Sequence, residues 1–313
     1  MNIITKVLNR KELIAQPPVL VDIGASGQIH KKWKKIASHS ICIAFDADDR
    51  EFGYVVKENS GYKKLYIYNC IVSNSNKSKE SFYLTKSPYC SSLLEPDEES
   101  LKNYAFAEKF KVEKKENIET KRLMDVLKEL KIKKVDWFKT DSQGTDLRLF
   151  IDLEEEIRNK VLIAEFEPGM MDAYKGEDKF YKILESLESQ LFWISDLIIK
   201  GTVRISSQYL NLLSYNNLHR KFLEYSLKIS PGWAEVTFIN SFKQNFELRD
   251  YLLGWVISTL QGQHGFAAEL STIALKKFDD PLFKKMNSYS LKKMNLRILK
   301  MKFIYPILKN LFK

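Results

Sequence analysis

Short apolar runs alternate with amphipathic stretches over most of the chain. The runs Val19–Ile23, Ile41–Phe45, Leu65–Val72, Val135–Thr140 and Val161–Phe166 predict strands, while Lys121–Leu130, Thr145–Ile157 and Asp178–Ser189 carry a helical period. The last of these helices leads into a further strand at Leu191–Ser195. Strands that alternate with helices predict an α/β fold, a mostly parallel Rossmann-like sheet with helices on both faces. The polar stretch after Val72 reads as an insertion or cover, with a turn at Ser73–Asn76, a short strand at Phe82–Thr85 and an acidic helix start after Ser91 and Ser92. Beyond Gly201 the period blurs, and residues 245–275 are mostly helical in pattern. The expected organisation is a helical segment at 1–16, an α/β domain at 17–240 and a helical extension at 241–313.

The chemistry sits where these strands end. Val19 to Gly27 reads VLVDIGASG, a buried strand running into a glycine loop. Gly24 and Gly27, with Ala25 and Ser26 between them, let the chain turn and let a ligand approach the backbone. Asp22 stands where its carboxylate can accept hydrogen bonds from a ligand amine or from the loop. Asp46 closes the second strand about 20 residues after the glycine loop, where α/β folds hold a ribose by its hydroxyls. A dinucleotide fingerprint anchored on Gly24 needs glycine where this chain has Ser26 and Ile29, which disfavours a Rossmann-type oxidoreductase. No Gly-Lys-Ser or Gly-Lys-Thr follows, so a P-loop is excluded. An adenosine ligand without phosphates remains, and S-adenosylmethionine fits.

In order along the chain stand VLVDIGASG, IAFDADDREF, LYIYNCIVSNSN, IETKRLMDVLKELKIKKVDWFKTDSQGTDLRLF and VLIAEFEP. The fourth contains Arg122-Leu123-Met124-Asp125, Lys139-Thr140-Asp141 and Gly144-Thr145-Asp146. Over about residues 17 to 200 this succession resembles the FkbM-type S-adenosylmethionine-dependent methyltransferases, although Ser26 replaces the family's usual Asn and Gly27 comes one residue early. The resemblance implies a methyltransferase sheet, S-adenosylmethionine as cofactor and O-methylation of a hydroxyl on a sugar or glycan intermediate. A catalytically degenerate methyltransferase fold, kept as a scaffold at a membrane surface, is a different reading of the same residues.

The cofactor set expected on this basis is Asp22, Gly24, Ala25, Ser26, Gly27, Asp46 and Asn69. Asp141 is the candidate base for the acceptor hydroxyl, or the group that orients it; the alternative is a carboxylate that caps the next helix or binds Lys139. Glu165 and Glu167 bracket Phe166 at the end of a strand, and Glu165 is preferred as the second catalytic carboxylate over a structural ion pair. His30, beside Lys31 and Lys32, reads as a solvated first-turn histidine. No metal is expected, because no His/Cys ligand cluster or calcium loop is present.

Composition completes the picture. At 313 residues and 44% hydrophobic content the chain exceeds a minimal methyltransferase domain. Its three cysteines, Cys42, Cys70 and Cys90, lack CxxC spacing and read as reduced thiols of a cytoplasmic protein. The amino-terminal stretch lacks the apolar core of a signal peptide, and no run reaches the length of a spanning helix. Of the net charge of +10, nearly all lies from Lys276 onward, where ten lysines and Arg297 face only Asp279 and Asp280. There Leu291, Met294, Ile298, Met301 and Tyr305 share one helical face and Lys292, Lys293, Arg297 and Lys300 another, with Pro306 expected to kink or end the helix. Such a helix suits the anionic inner face of a membrane, or docks on its own domain with its lysines in water. Nucleic acid is not an expected partner, and the sequence leaves the oligomeric state open.

Overall fold

The computed structural model describes residues 2–25, 29, 31–48, 50, 61–188, 191–213 and 216–311. The chain divides into two compact units, one of residues 19–241 and one that joins 1–18 to 242–313.

The larger unit is built on a seven-stranded sheet in the order β3-β2-β1-β7-β8-β10-β9. Its strands are β1 (Val19–Ile23), β2 (Ile41–Phe45), β3 (Lys64–Tyr68), β7 (Trp137–Thr140), β8 (Ile163–Phe166), β9 (Phe192–Val203) and β10 (Ile229–Asn240). The first five in that spatial order run parallel, and β10 is antiparallel to both β8 and β9. Val19 to Ile23 are all buried, as expected for the central strand of a sheet covered on both faces. On one face Val21, Ile43, Phe138 and Ala164 join Leu127, Phe150 and Ile183 of the helices Leu123–Glu129, Asp146–Ile151 and Phe180–Glu188 in one core. On the other face Trp33 meets Trp137 edge to face at 5.6 Å.

Several elements differ from the sequence expectation. The run Leu65–Val72 is not one strand: β3 ends at Tyr68, and Ile71–Val72 forms β4 of a separate three-stranded sheet with β5 (Lys79–Thr85) and β6 (Val112–Lys121). β6 reads VEKKENIETK and is largely solvent-facing, so it has no apolar run to announce it. β9 extends eight residues past Ser195, and β10 occupies the stretch where the period blurs.

In the smaller unit the helices Ile3–Leu8 and Lys11–Ala15 join Leu248–Leu260, His264–Phe278 and Leu282–Leu311. The Arg249 guanidinium donates to the Gln16 and Pro17 carbonyls, and Arg10 pairs with Asp280 at 2.7 Å. The last helix runs through Pro306 to Leu311 rather than ending there. A proline this near a helix end removes a single amide donor with barely one turn beyond it. Phe283, Met286 and Ser290 of that helix are buried, whereas Leu291, Met294 and Ile298 are exposed.

Candidate active site

The residues that follow immediately on the parallel strands converge at the sheet's carboxyl edge. Gly24 follows β1, Asp46 follows β2, Asp141 follows β7 and Glu167 follows β8. Gly24 has φ +77°, and a Cβ there would lie 2.1 Å from the Asp141 carbonyl oxygen. Glycine is therefore required so that the loops after β1 and β7 can touch. The Gly24 and Ala25 amides both donate to the Phe45 carbonyl at 3.0 Å, which ties the glycine turn to β2. Ser26, Gly27 and His30 lie outside the described residues.

Two cavities open along this edge. The first is lined by Gly24, Asp46 and Asp141 together with an apolar wall that includes Ile71, Val72 and Phe82. Asp46 Oδ1 accepts the Asp48 amide at 2.9 Å, and the Asp48 carboxylate is committed to Arg50. The second cavity, about 310 Å³, is lined by Asp141, Glu167, Phe106, Tyr174 and Trp233 among others. Phe106 and Trp233 stack within 5° of parallel. β10 delivers Trp233: the Ala234 amide donates to the Pro168 carbonyl and the Met170 amide to the Gly232 carbonyl, so this strand continues along the loop after β8. Asp141, Gln143 and Tyr89 line both cavities.

Asp141 is held on several sides. Gln143 Nε2 donates to its Oδ1 at 2.5 Å, and the Gln143 Oε1 lies 2.9 Å from the Tyr174 hydroxyl, which is equally close to the Cys90 carbonyl. Gln143 itself sits at φ 56°, an uncommon conformation for a side-chain-bearing residue. Burial pushes the Asp141 carboxyl up to about 6, with Asp146 adding to the rise and Lys139 resisting it. Glu167 is driven further, to about 9, by burial first and then by the charges of Asp141, Glu235 and Asp146. Each carboxylate disfavours ionisation of the other, so the two titrate as a pair. Asp146 is the knot beneath them, accepting from the Thr140 and Ser142 hydroxyls and from the Ser142 and Glu167 amides. The Gly144-Thr145-Asp146 segment thus fastens the end of β7 to the end of β8.

The remaining candidates lie apart from the cavities. Asp22 is fully buried inside β1, and its Oδ1 takes the Lys139 ammonium at 2.7 Å directly across the ladder. Burial opposes the Lys139 charge, but Asp22 and Asp141 outweigh it and raise its pKa. Glu165, inside β8, accepts from the Trp137 indole at 3.0 Å and the Thr237 hydroxyl at 3.3 Å and faces Lys32 at 3.7 Å. Of the two glutamates Glu167 lines the cavity with Asp141, while Glu165 lines a different recess with Lys32 and Thr237 that Glu167 also borders. Asn69 follows β3, and its amide donates to the Asp46 carbonyl, so it supports the loop that carries the acid. The lysine two residues before Asp141 is bonded to Asp22, and the acids to which sequence reasoning gave no site role are Glu167 and the knot-forming Asp146. Among the described residues no group of three or more His, Cys, Asp or Glu is placed to hold a metal.

A mostly parallel sheet whose glycine turn and strand-end acids line a cleft at the carboxyl edge has the arrangement in which open α/β folds bind their ligands. Residues 31–193, more than half of the chain, match the family model described as the methyltransferase FkbM domain, and the chain belongs to that family. A search of curated proteins finds no match.

Proposed function

We propose that this protein transfers the methyl group of S-adenosylmethionine to a hydroxyl of a sugar or glycan intermediate. The observation that carries the reading is the position of Asp141, which lines both cavities at once. The residues of the first cavity suit the cofactor: Asp46 is a strand-end acid able to accept from ribose hydroxyls, and Ile71, Val72 and Phe82 offer an apolar wall for an adenine. When bound there, S-adenosylmethionine supplies an electrophilic methyl on a sulfonium. The chain's part is then to align the acceptor and remove one proton. Asp141 takes that proton from the acceptor hydroxyl, with Gln143 fixing the carboxylate and Lys139 holding it ionised near neutrality. The stacked Phe106 and Trp233 offer a flat apolar platform of the kind that packs on a sugar face, and the cavity volume of about 310 Å³ is at the small end for small-molecule sites.

The test is label transfer from methyl-labelled S-adenosylmethionine into fractionated cell extract. Label should enter a carbohydrate-containing fraction and survive mild alkali, because an ether resists conditions that cleave a methyl ester. Label found only in protein, or released by alkali, contradicts the reading.

For the tail we propose a peripheral place at an anionic membrane surface. Leu291, Met294 and Ile298 are exposed beside Lys292, Lys293 and Arg297, and among the described residues no helix is long and apolar enough to span a bilayer. Each basic residue near such a surface contributes about 1 kcal/mol, which salt removes. The full chain should float with vesicles containing anionic lipid and detach as salt rises, while a chain ending after Lys292 keeps the buried Phe283, Met286 and Ser290 but loses flotation. Equal flotation of both chains contradicts it.

A further inference from the structure

We infer that β9 is a self-association surface, at which a second copy of this chain pairs antiparallel to form one continuous sheet through two protomers. β9 is the last strand in the sheet order, and among the described residues only β10 pairs with it along its length. An open strand edge is a template for another strand, and monomeric proteins blunt such edges with bulges, prolines or charges. Here irregularities in the β9–β10 ladder lie on either side of residues 196–200, and that segment is regularly paired with Trp233–Thr237. All five residues of this straight segment are exposed, Leu197, Ile198 and Ile199 among them, and Ile194 precedes it as a further exposed apolar residue.

The charges of the segment choose the occupant. Asp196 and Lys200 are placed symmetrically about Ile198. When two copies of β9 pair antiparallel about a two-fold axis at Ile198, Asp196 of each copy stands opposite Lys200 of the other. Ile198 then meets its own symmetry mate, and on the opposite face Leu197 meets Ile199 in both directions. Opposite charges and apolar side chains directly across an antiparallel ladder stabilise it, whereas like charges there destabilise it. Lys200 already lies 3.3 Å from the exposed Glu235 of its own chain, which orients it without burying it. Such an interface is isologous, the commonest way in which soluble chains associate.

The experiment is analytical ultracentrifugation of the full chain and three variants at micromolar concentration. The parent should sediment at twice the 36.6 kDa chain mass. Asp196→Lys or Lys200→Asp alone places like charges across the interface and should give monomer, and the double swap should restore the dimer. A second test does not depend on those charges. Under mild oxidation Ile198→Cys should cross-link to its own mate, since opposed Cα atoms in an antiparallel ladder lie about 4.5–5.5 Å apart, within disulfide reach. Ile194→Cys should not, because its mate would be displaced by roughly 26 Å along the strand. The three native cysteines are buried, so cross-linking reports the introduced thiol. A monomeric parent, a dimer indifferent to the single charge changes, a double swap that stays monomeric, or equal cross-linking at 194 and 198 would each overturn the proposal. So would a parent that is monomeric in solution and gathers on vesicles through this face.

Discussion

Asp141→Asn lowers methyl transfer by about 10²–10⁴-fold, the range that a positioned general base contributes, while the protein becomes at least as stable as the parent at neutral pH. The asparagine keeps the shape of the carboxylate and still accepts from Gln143, but it cannot take a proton. Its effect on the fold has a definite sign. Burial lifts the Asp141 carboxyl from its ordinary value of 3.8 to about 6, so stability falls as pH rises from 3.8 to about 6 and the full cost persists above it, where a neutral amide relieves it. The parent rate should climb as pH rises through about 6 and then level off, and the variant should lack that limb. Thermal melts beside the label-transfer assay check both halves. Unchanged turnover would reduce Asp141 to a residue that only shapes the loop.

Lys139→Met should instead destabilise the protein by about 3–5 kcal/mol, because it strands the Asp22 carboxylate in the centre of the sheet. Asp22 is fully buried, and its Oδ2 takes no hydrogen bond even in the parent. Lys139 has a raised pKa, so the ion pair is complete at neutral pH and is lost only as pH rises through that elevated value. On a unit of this size each kcal/mol lowers the melting temperature by roughly 2–4 °C, so a drop of about 10 °C is expected. Adding Asp22→Asn to Lys139→Met removes the stranded charge and should recover much of the loss. A single variant that melts with the parent would show that the pair contributes nothing.

The residues that sequence reasoning located and those it misplaced follow one rule of strand geometry. β1, β2, β7 and β8 are covered on both faces and consist largely of apolar residues, so their runs are visible without knowing the fold. β5, β6 and much of β9 are half-exposed, and their polar or irregular patterns make sense only once their partners are known. Acids one residue past a strand, Asp46, Asp141 and Glu167, reach the cavities; acids inside a strand, Asp22 and Glu165, are engaged across the ladder by Lys139 and Trp137. Alternation places Glu165 and Glu167 on the same face of a strand, so what separates them is which of the two lies beyond the last ladder pair. That depends on β8 ending at Phe166, a boundary fixed by its long-range partners. Trp233 had no local signal at all, since β10 returns to the site from a distant part of the sequence.

The reading of the first cavity as a cofactor site is tested most directly by calorimetric titration of S-adenosylhomocysteine into the full chain, with NAD as the comparison and Asp46→Ala as the control. Saturable one-to-one binding is expected, absent for NAD and at least tenfold weaker in the variant, since about 1.5–3 kcal/mol is typical for hydrogen bonds to a charged group. Absence of binding heat for S-adenosylhomocysteine, or an affinity for NAD that matches it, would contradict the cofactor assignment.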